Sequence, residues 1–119
     1  MNGQGTRTRN RNIAADVFCY VVNLPGDRIA GLTIQSLAKH FGVSRCHISR
    51  SFRDERGMTL AVFIQRRKLI LAERFLMQEP DLSVKGLAFR MGYADYQYFI
   101  SRFKEHWGES PGRYRKLAE

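Results

Sequence analysis

Four scarcities narrow the field before any motif is sought. Only two cysteines, Cys19 and Cys46, occur in 119 residues, too few for a disulfide framework and in keeping with a reducing cytoplasm. The longest apolar run without a charge, Val17 to Leu24, falls far short of the roughly 20 residues that span a bilayer. Arg7, Arg9 and Arg11 ahead of apolar residues imitate a leader peptide, but Asp16 breaks that stretch and no small-residue cleavage site follows. Acidic residues are few: 11 Asp plus Glu stand against 20 Lys plus Arg, for a net charge of +9. Catalytic groupings are missing as well. No Ser-His-Asp-like set, phosphate-cradling glycine loop or carboxylate pair stands out, so no enzyme is expected. His40, Cys46 and His47 match no standard zinc spacing and lack a fourth ligand, so neither metal nor cofactor is expected. The reading is of a cytoplasmic protein without a membrane partner.

What the chain has in excess is arginine, fifteen to five lysines. The planar guanidinium fork matches phosphates and guanine edges, so this balance favours a nucleic-acid partner. The hydrophobic share of 44% is ordinary for a globular domain and too high for a disordered basic tail.

The chain also repeats itself. Leu32-Thr33-Ile34-Gln35-Ser36-Leu37-Ala38 is echoed fifty residues later by Leu82-Ser83-Val84-Lys85-Gly86-Leu87-Ala88, and Gly42-Val43 by Gly92-Tyr93. A one-residue insertion then shifts the offset to 51, pairing His47-Ile48 with Tyr98-Phe99, Phe52-Arg53 with Phe103-Lys104 and Gly57 with Gly108. Each copy carries helix signals. Thr33 and Ser83 are placed to cap a short helix whose apolar positions follow i, i+3, i+4 spacing. Gly42 and Gly92 end it, where glycine turns the chain without steric cost. Ser44 and Asp95 then cap a longer helix ending near Gly57 or Gly108. A short helix, a glycine turn and a longer helix form helix-turn-helix grammar, here written twice.

Between the copies runs a periodic stretch, 59–78, closed by Pro80. Leu60, Phe63, Ile64, Ala72, Phe75 and Leu76 form its apolar stripe, with Gln65, Arg66, Lys68, Glu73 and Arg74 expected to face solvent. Its length, roughly 30 Å at 1.5 Å per residue, approaches the ~34 Å turn of B-DNA. An apolar helix over 12–23 packs on the first copy, and Ser110-Pro111 starts a last helix through Leu117. The expected organisation is all-α: a disordered basic tail (1–11), then one DNA-binding domain (12–119). That domain divides into a first subdomain (12–58), a linker helix (59–78) and a second subdomain (81–119).

These residues resemble the AraC/XylS transcription regulators. Gly92-Tyr93-Ala94-Asp95, Tyr98-Phe99, Phe103-Lys104, Gly108, Ser110-Pro111 and Tyr114-Arg115 are similar to that family's second motif. Gly42-Val43-Ser44-Arg45, Ile48-Ser49-Arg50, Phe52-Arg53 and Gly57-Met58-Thr59 resemble the first. Phe63-Ile64-Gln65-Arg66-Arg67-Lys68-Leu69 through Ala72 resembles the linker helix in a version close to the MarA and SoxS group. The resemblance implies about seven helices carrying two helix-turn-helix subdomains. It also implies transcription control, usually activation, through contact with RNA polymerase. Most members carry a separate sensing or dimerisation domain, and nothing in this sequence resembles one.

Turning each residue by about 100° separates the faces of the two longer helices. Ile48 and Phe52 point to one side of the first, with Cys46, Arg50 and Arg53 opposite and Ser49 at the flank. Phe99 and Phe103 point inward in the second, with Gln97, Ser101 and Lys104 opposite and Ile100 at the flank. The outward sets coincide at offset 51, and the family's base-facing positions fall on the same residues. Arg50 is suited to a guanine edge and Gln97 to adenine. Cys46 and Ile100 suit a thymine methyl; Ser49 and Ser101 suit a base or a phosphate. Arg45, Arg53, Tyr96, Arg102 and Lys104 are expected on phosphates, fixing register without reading sequence. The chain departs from the family at Ser101, where a basic residue is common and the base follows at Arg102. It also departs at Cys46, where larger side chains are common.

Two different helices in tandem imply an asymmetric duplex site of about 20 bp that a monomer occupies. Single-stranded or RNA binding is the alternative from another class, and a basic protein-interaction module a third. The aromatics Phe41, Phe52, Phe89, Phe99, Phe103 and Trp107 fall mostly at core spacing. Cys46 beside Arg45 reads as a small surface residue ahead of a redox switch.

Overall fold

Helix caps and apolar stripes set where the individual helices begin and end. The computed structural model describes residues 13–119; the expected tail, 1–11, lies outside them. Eight helices and no strands occur among the described residues: α1 (Ile13–Val22), α2 (Gly26–Ile29), α3 (Ile34–Phe41), α4 (Arg45–Arg56), α5 (Leu60–Gln78), α6 (Val84–Arg90), α7 (Tyr96–Trp107) and α8 (Pro111–Leu117). No helix among them is long and apolar enough to cross a membrane. They form two compact units. One takes the described residues up to Leu24 with Leu32–Ile64; the other takes Pro25–Gly31 with Gln65–Glu119.

In the first unit, Thr33 caps α3 by a reciprocal box. Its hydroxyl accepts from the Ser36 amide at 3.0 Å, and the Ser36 hydroxyl accepts from the Thr33 amide at 3.0 Å. Gly42 ends α3 with φ 69°. Ser44 then opens α4 by accepting from the His47 amide at 3.0 Å. Val17, Val21, Leu37, Ile48, Phe52 and Leu60 are fully buried. Phe63, at the start of α5, stacks on Phe18 and packs on Phe52, with ring centroids 5.4 and 4.9 Å apart.

The second unit repeats the arrangement. Ser83 caps α6, Asp95 caps α7 and Ser110 caps α8 with Pro111 at its first turn. Leu76, Leu87, Ala88, Met91, Phe99 and Phe103 fill the core, where a wholly buried phenylalanine contributes about 1.5–3 kcal/mol. α8 ties itself to α5. Trp107 Nε1, at the end of α7, donates to the Leu69 carbonyl at 3.0 Å, and the Tyr114 hydroxyl donates to Glu73 Oε2 at 2.8 Å. The Arg115 guanidinium donates to the carbonyls of Leu76 and Glu79 at 3.1–3.2 Å, satisfying at Leu76 a carbonyl in the last turn of α5 that has no helical partner because Pro80 lacks an N–H.

Three expectations need correction. α2 is an additional single turn after Pro25, which stands at its N-cap. It forms because Ile29 is wholly buried and Gly26 admits the Phe75 ring; a Cβ there would stand 2.7 Å from Phe75 Cζ. Phe89 is not core but 82% exposed. A seven-residue helix buries a narrow stripe, here Leu87 and Ala88, and position 89 rotates out of it. Gln65, Lys68 and Glu73 are half-buried rather than solvent-facing, because the second unit's core lies against the α5 face that also carries Leu69, Ala72 and Leu76.

Candidate nucleic-acid interface

Burial of Ile48 and Phe52 on α4, and of Phe99 and Phe103 on α7, fixes which side of each helix faces outward. Cys46, Arg50 and Arg53 are exposed on α4, and Ser49 sits half-buried at the flank. Gln97, Ser101 and Lys104 are exposed on α7, with Ile100 half-buried at its flank. Every residue expected to read bases therefore lies off the core, and the two units place equivalent positions alike.

Local chemistry starts both helices cleanly. Asp95 Oδ1 accepts from the amides of Gln97 at 2.9 Å and Tyr98 at 3.4 Å, so the first turn of α7 is held and Gln97 is presented from it. Ser44 does the same for α4, with Arg45 and Cys46 following directly. A shallow cleft of about 570 Å³ runs between Thr33, Ile34 and Gln35 of the first helix and Arg45, Cys46 and Ser49 of the second. In the second unit, Ser83, Lys85, Phe89, Tyr93 and Tyr96 line a cleft of about 370 Å³.

The charge on these faces is not neutralised from within. Ion pairs among the described residues join Arg90 to Glu79, Arg102 to Glu105 and Arg113 to Glu109. None involves Arg45, Arg50, Arg53 or Lys104, so both outward faces stay cationic. Tyr96 is 37% exposed with Lys85 Nζ 5.6 Å from its ring centroid. Arg102 differs from the other expected phosphate contacts. It is half-buried, held to Glu105 at 3.1 Å, and its guanidinium carbon lies 5.4 Å from the Tyr98 ring centroid.

The reading of the sequence missed a cluster behind that arginine. Tyr93 follows the glycine turn and packs on Phe99 and Tyr98, with centroids 5.1 and 6.1 Å apart. Burial pushes its phenol up to about 12, helped by Tyr98, while Gln65 and Arg102 pull the other way. Lys68 Nζ lies 5.9 Å from the Tyr93 ring, and burial holds its ammonium below the usual lysine range. The signal was present: Gln65, Lys68, Ala72 and Leu76 follow helical spacing and share one face of α5. His40 stacks on Tyr20 with centroids 4.1 Å apart. Cys19 and Cys46 are free thiols.

Known proteins are similar to this chain in sequence and in shape. A family described as a helix-turn-helix domain matches residues 37–117. The chain is 33% identical over 89 residues to the probable transcription factor PqrA of Proteus vulgaris, covering 75% of this chain and 72% of that protein. It is likewise 33% identical over 88 residues to AdaA of Bacillus subtilis, a bifunctional transcriptional activator and DNA repair enzyme. There it covers 74% of this chain and spans 41% of that protein. The C-terminal domain of AraT, a response regulator of Geobacillus stearothermophilus, superposes with a TM-score of 0.73 at 27% identity. That superposition covers 88% of this chain and 84% of the domain.

Proposed function

The chain belongs to the AraC/XylS-type helix-turn-helix family of transcription regulators, and from that membership we propose that it binds a specific duplex DNA and controls transcription there. α4 and α7 are the reading helices, each entering a major groove. Cys46, Ser49 and Arg50 read bases from the first unit, and Gln97, Ile100 and Ser101 from the second. Arg45, Arg53, Tyr96 and Lys104 hold phosphates, whereas the charge of Arg102, expected among them, is engaged by Glu105. What supports this most is the coincidence at offset 51: positions 46, 49, 50 and 53 and positions 97, 100, 101 and 104 all turn away from buried aromatic or aliphatic anchors.

The domain runs over 12–119, with subdomains at 12–58 and 81–119 and the linker helix at 59–78. It binds as a monomer to an asymmetric site of about 20 bp, acts in the cytoplasm without enzymatic chemistry, and activates through contact with RNA polymerase. Selection of bound duplexes from a random pool tests the core of this reading. One asymmetric motif with a separate preference for each helix is expected. A palindromic motif overturns monomer binding. Equal competition by the duplex and its separated strands overturns duplex reading in favour of single-strand binding.

A further inference from the structure

A helix lying in a major groove has a phosphodiester strand on each flank, and the two flanks of α7 are furnished differently. With Ser101 at the centre of the outward face, Ile100 and Lys104 lie to one side, Lys104 supplying free charge there. Tyr98 and Arg102 lie about 60–100° to the other side. Arg102 is the one cation that α7 itself offers on this second flank, and its charge is engaged by Glu105 at 3.1 Å. Tyr98 is 52% exposed and neutral. The second flank would therefore meet a phosphate strand without net charge, unless another element supplies it.

α5 does. Gln65 and Lys68 reach the same place from the neighbouring helix: Gln65 lies beside the Tyr93 hydroxyl, and Lys68 Nζ lies 5.9 Å from the Tyr93 ring. Tyr93 bridges to Tyr98 at 6.1 Å between centroids, and Tyr98 carries the Arg102 guanidinium on its ring. Lys68 is half-buried and forms no ion pair among the described residues. A cation held partly out of water with no internal acid gains most from an external anion.

We infer that Lys68 of α5, seated beside Tyr93 and Tyr98, is the charged contact to one DNA-backbone phosphate on the second flank of α7, with Arg102 a positioning residue that orders Tyr98. The inference rests on the duplex-binding reading above and adds a contact from outside the helix-turn-helix elements. Arg102 and Glu105 together carry no net charge to that strand. Lys68 contributes affinity on every sequence and discriminates among none.

The test measures affinity of the full chain for its selected duplex, and for an unrelated duplex of equal length, across a salt series. Each neutralised phosphate contributes about 0.9 to the slope of log affinity against log salt. Lys68→Met is expected to lower that slope by about 0.9, equivalent to about 3.5-fold less affinity lost between 50 and 200 mM salt. The loss should be equal on both duplexes, and Lys68→Arg should restore it. The paired change Arg102→Gln with Glu105→Gln keeps the net charge and should leave the slope unchanged. In a scan of single neutral methylphosphonates through the duplex, one position should weaken the unmodified protein and leave Lys68→Met indifferent. An unchanged slope in Lys68→Met, a slope lost in the paired variant, or no such methylphosphonate position overturns the inference while duplex binding stands. Failure of the unmodified protein to bind any duplex overturns both.

Discussion

Gly92 lies against the carbonyl of Ala30 so closely that a Cβ at position 92 would stand 2.3 Å from that oxygen. The glycine also has φ 88°, so two separate reasons exclude a side chain. Its counterpart in the first copy, Gly42, has φ 69° and open space around the missing Cβ. One repeat position therefore carries two constraints in the second unit and one in the first. Gly42→Ala should cost about 1–2 kcal/mol, the strain of a left-handed alanine. Gly92→Ala should cost more than about 3 kcal/mol, because rigid backbone must shift as well. Urea unfolding of both variants checks the difference; equal midpoints would show that α2 does not press on the turn.

This contrast shows what the sequence could and could not reveal. Glycine at 42 and 92 was legible as a helix stop because the rule is local. So were the caps at Thr33, Ser44, Ser83, Asp95 and Ser110, each of which bonds an amide two or three residues on. The outward faces of α4 and α7 followed from periodicity, since Ile48, Phe52, Phe99 and Phe103 are long-range anchors at regular spacing. The Ala30 contact was not legible. It joins residues 62 positions apart through backbone, where no side-chain pattern records it. Lys68 was misplaced for a related reason. Lysine is taken to be solvated, and only the packing of Tyr93 against α5 holds it partly in.

Phe89 offers a sharp test of the revised core. Exposed as it is, replacing it with Ser should alter stability by no more than about 0.5 kcal/mol. Leu87, two positions earlier and wholly buried, should cost about 2–5 kcal/mol when cut to Ala. Thermal unfolding of the two variants distinguishes them. A large loss for Phe89→Ser would return that ring to the core.

Tyr93 should make itself visible at high pH. Its phenol is raised from 10.0 to about 12, and that of Tyr114 is raised as well by burial and by its bond to Glu73. Below pH 10 the phenol is protonated in both folded and unfolded chains, and its contribution to stability is fully present. Between pH 10 and about 12 the unfolded chain ionises first, so that contribution is lost progressively as the pH rises. Ultraviolet titration of the folded protein should show phenolate appearing in two stages, with Tyr93→Phe removing part of the later one. A single stage near pH 10 would mean that Tyr93 is open to water.

Arg50 and Gln97 bear the heaviest functional expectation, because each can make two parallel hydrogen bonds to one base. Arg50 is exposed and without an acidic partner among the described residues, so no internal bond must break before it reaches a guanine edge. Gln97 is exposed on the first turn of α7, held by Asp95. Truncating either to Ala should remove about 1–3 kcal/mol of discrimination at a single base pair. Arg53→Ala should instead weaken binding on all sequences and lower the salt slope by about 0.9. Affinities for a panel of singly substituted duplexes separate these outcomes. If Arg50→Ala weakened every duplex equally, Arg50 would be a backbone contact, and the reading of bases by the first unit would fall to Cys46 and Ser49 alone. Neither of those side chains can form the paired hydrogen bonds that single out guanine, so specificity at that half-site would then have to come from the shape of the duplex.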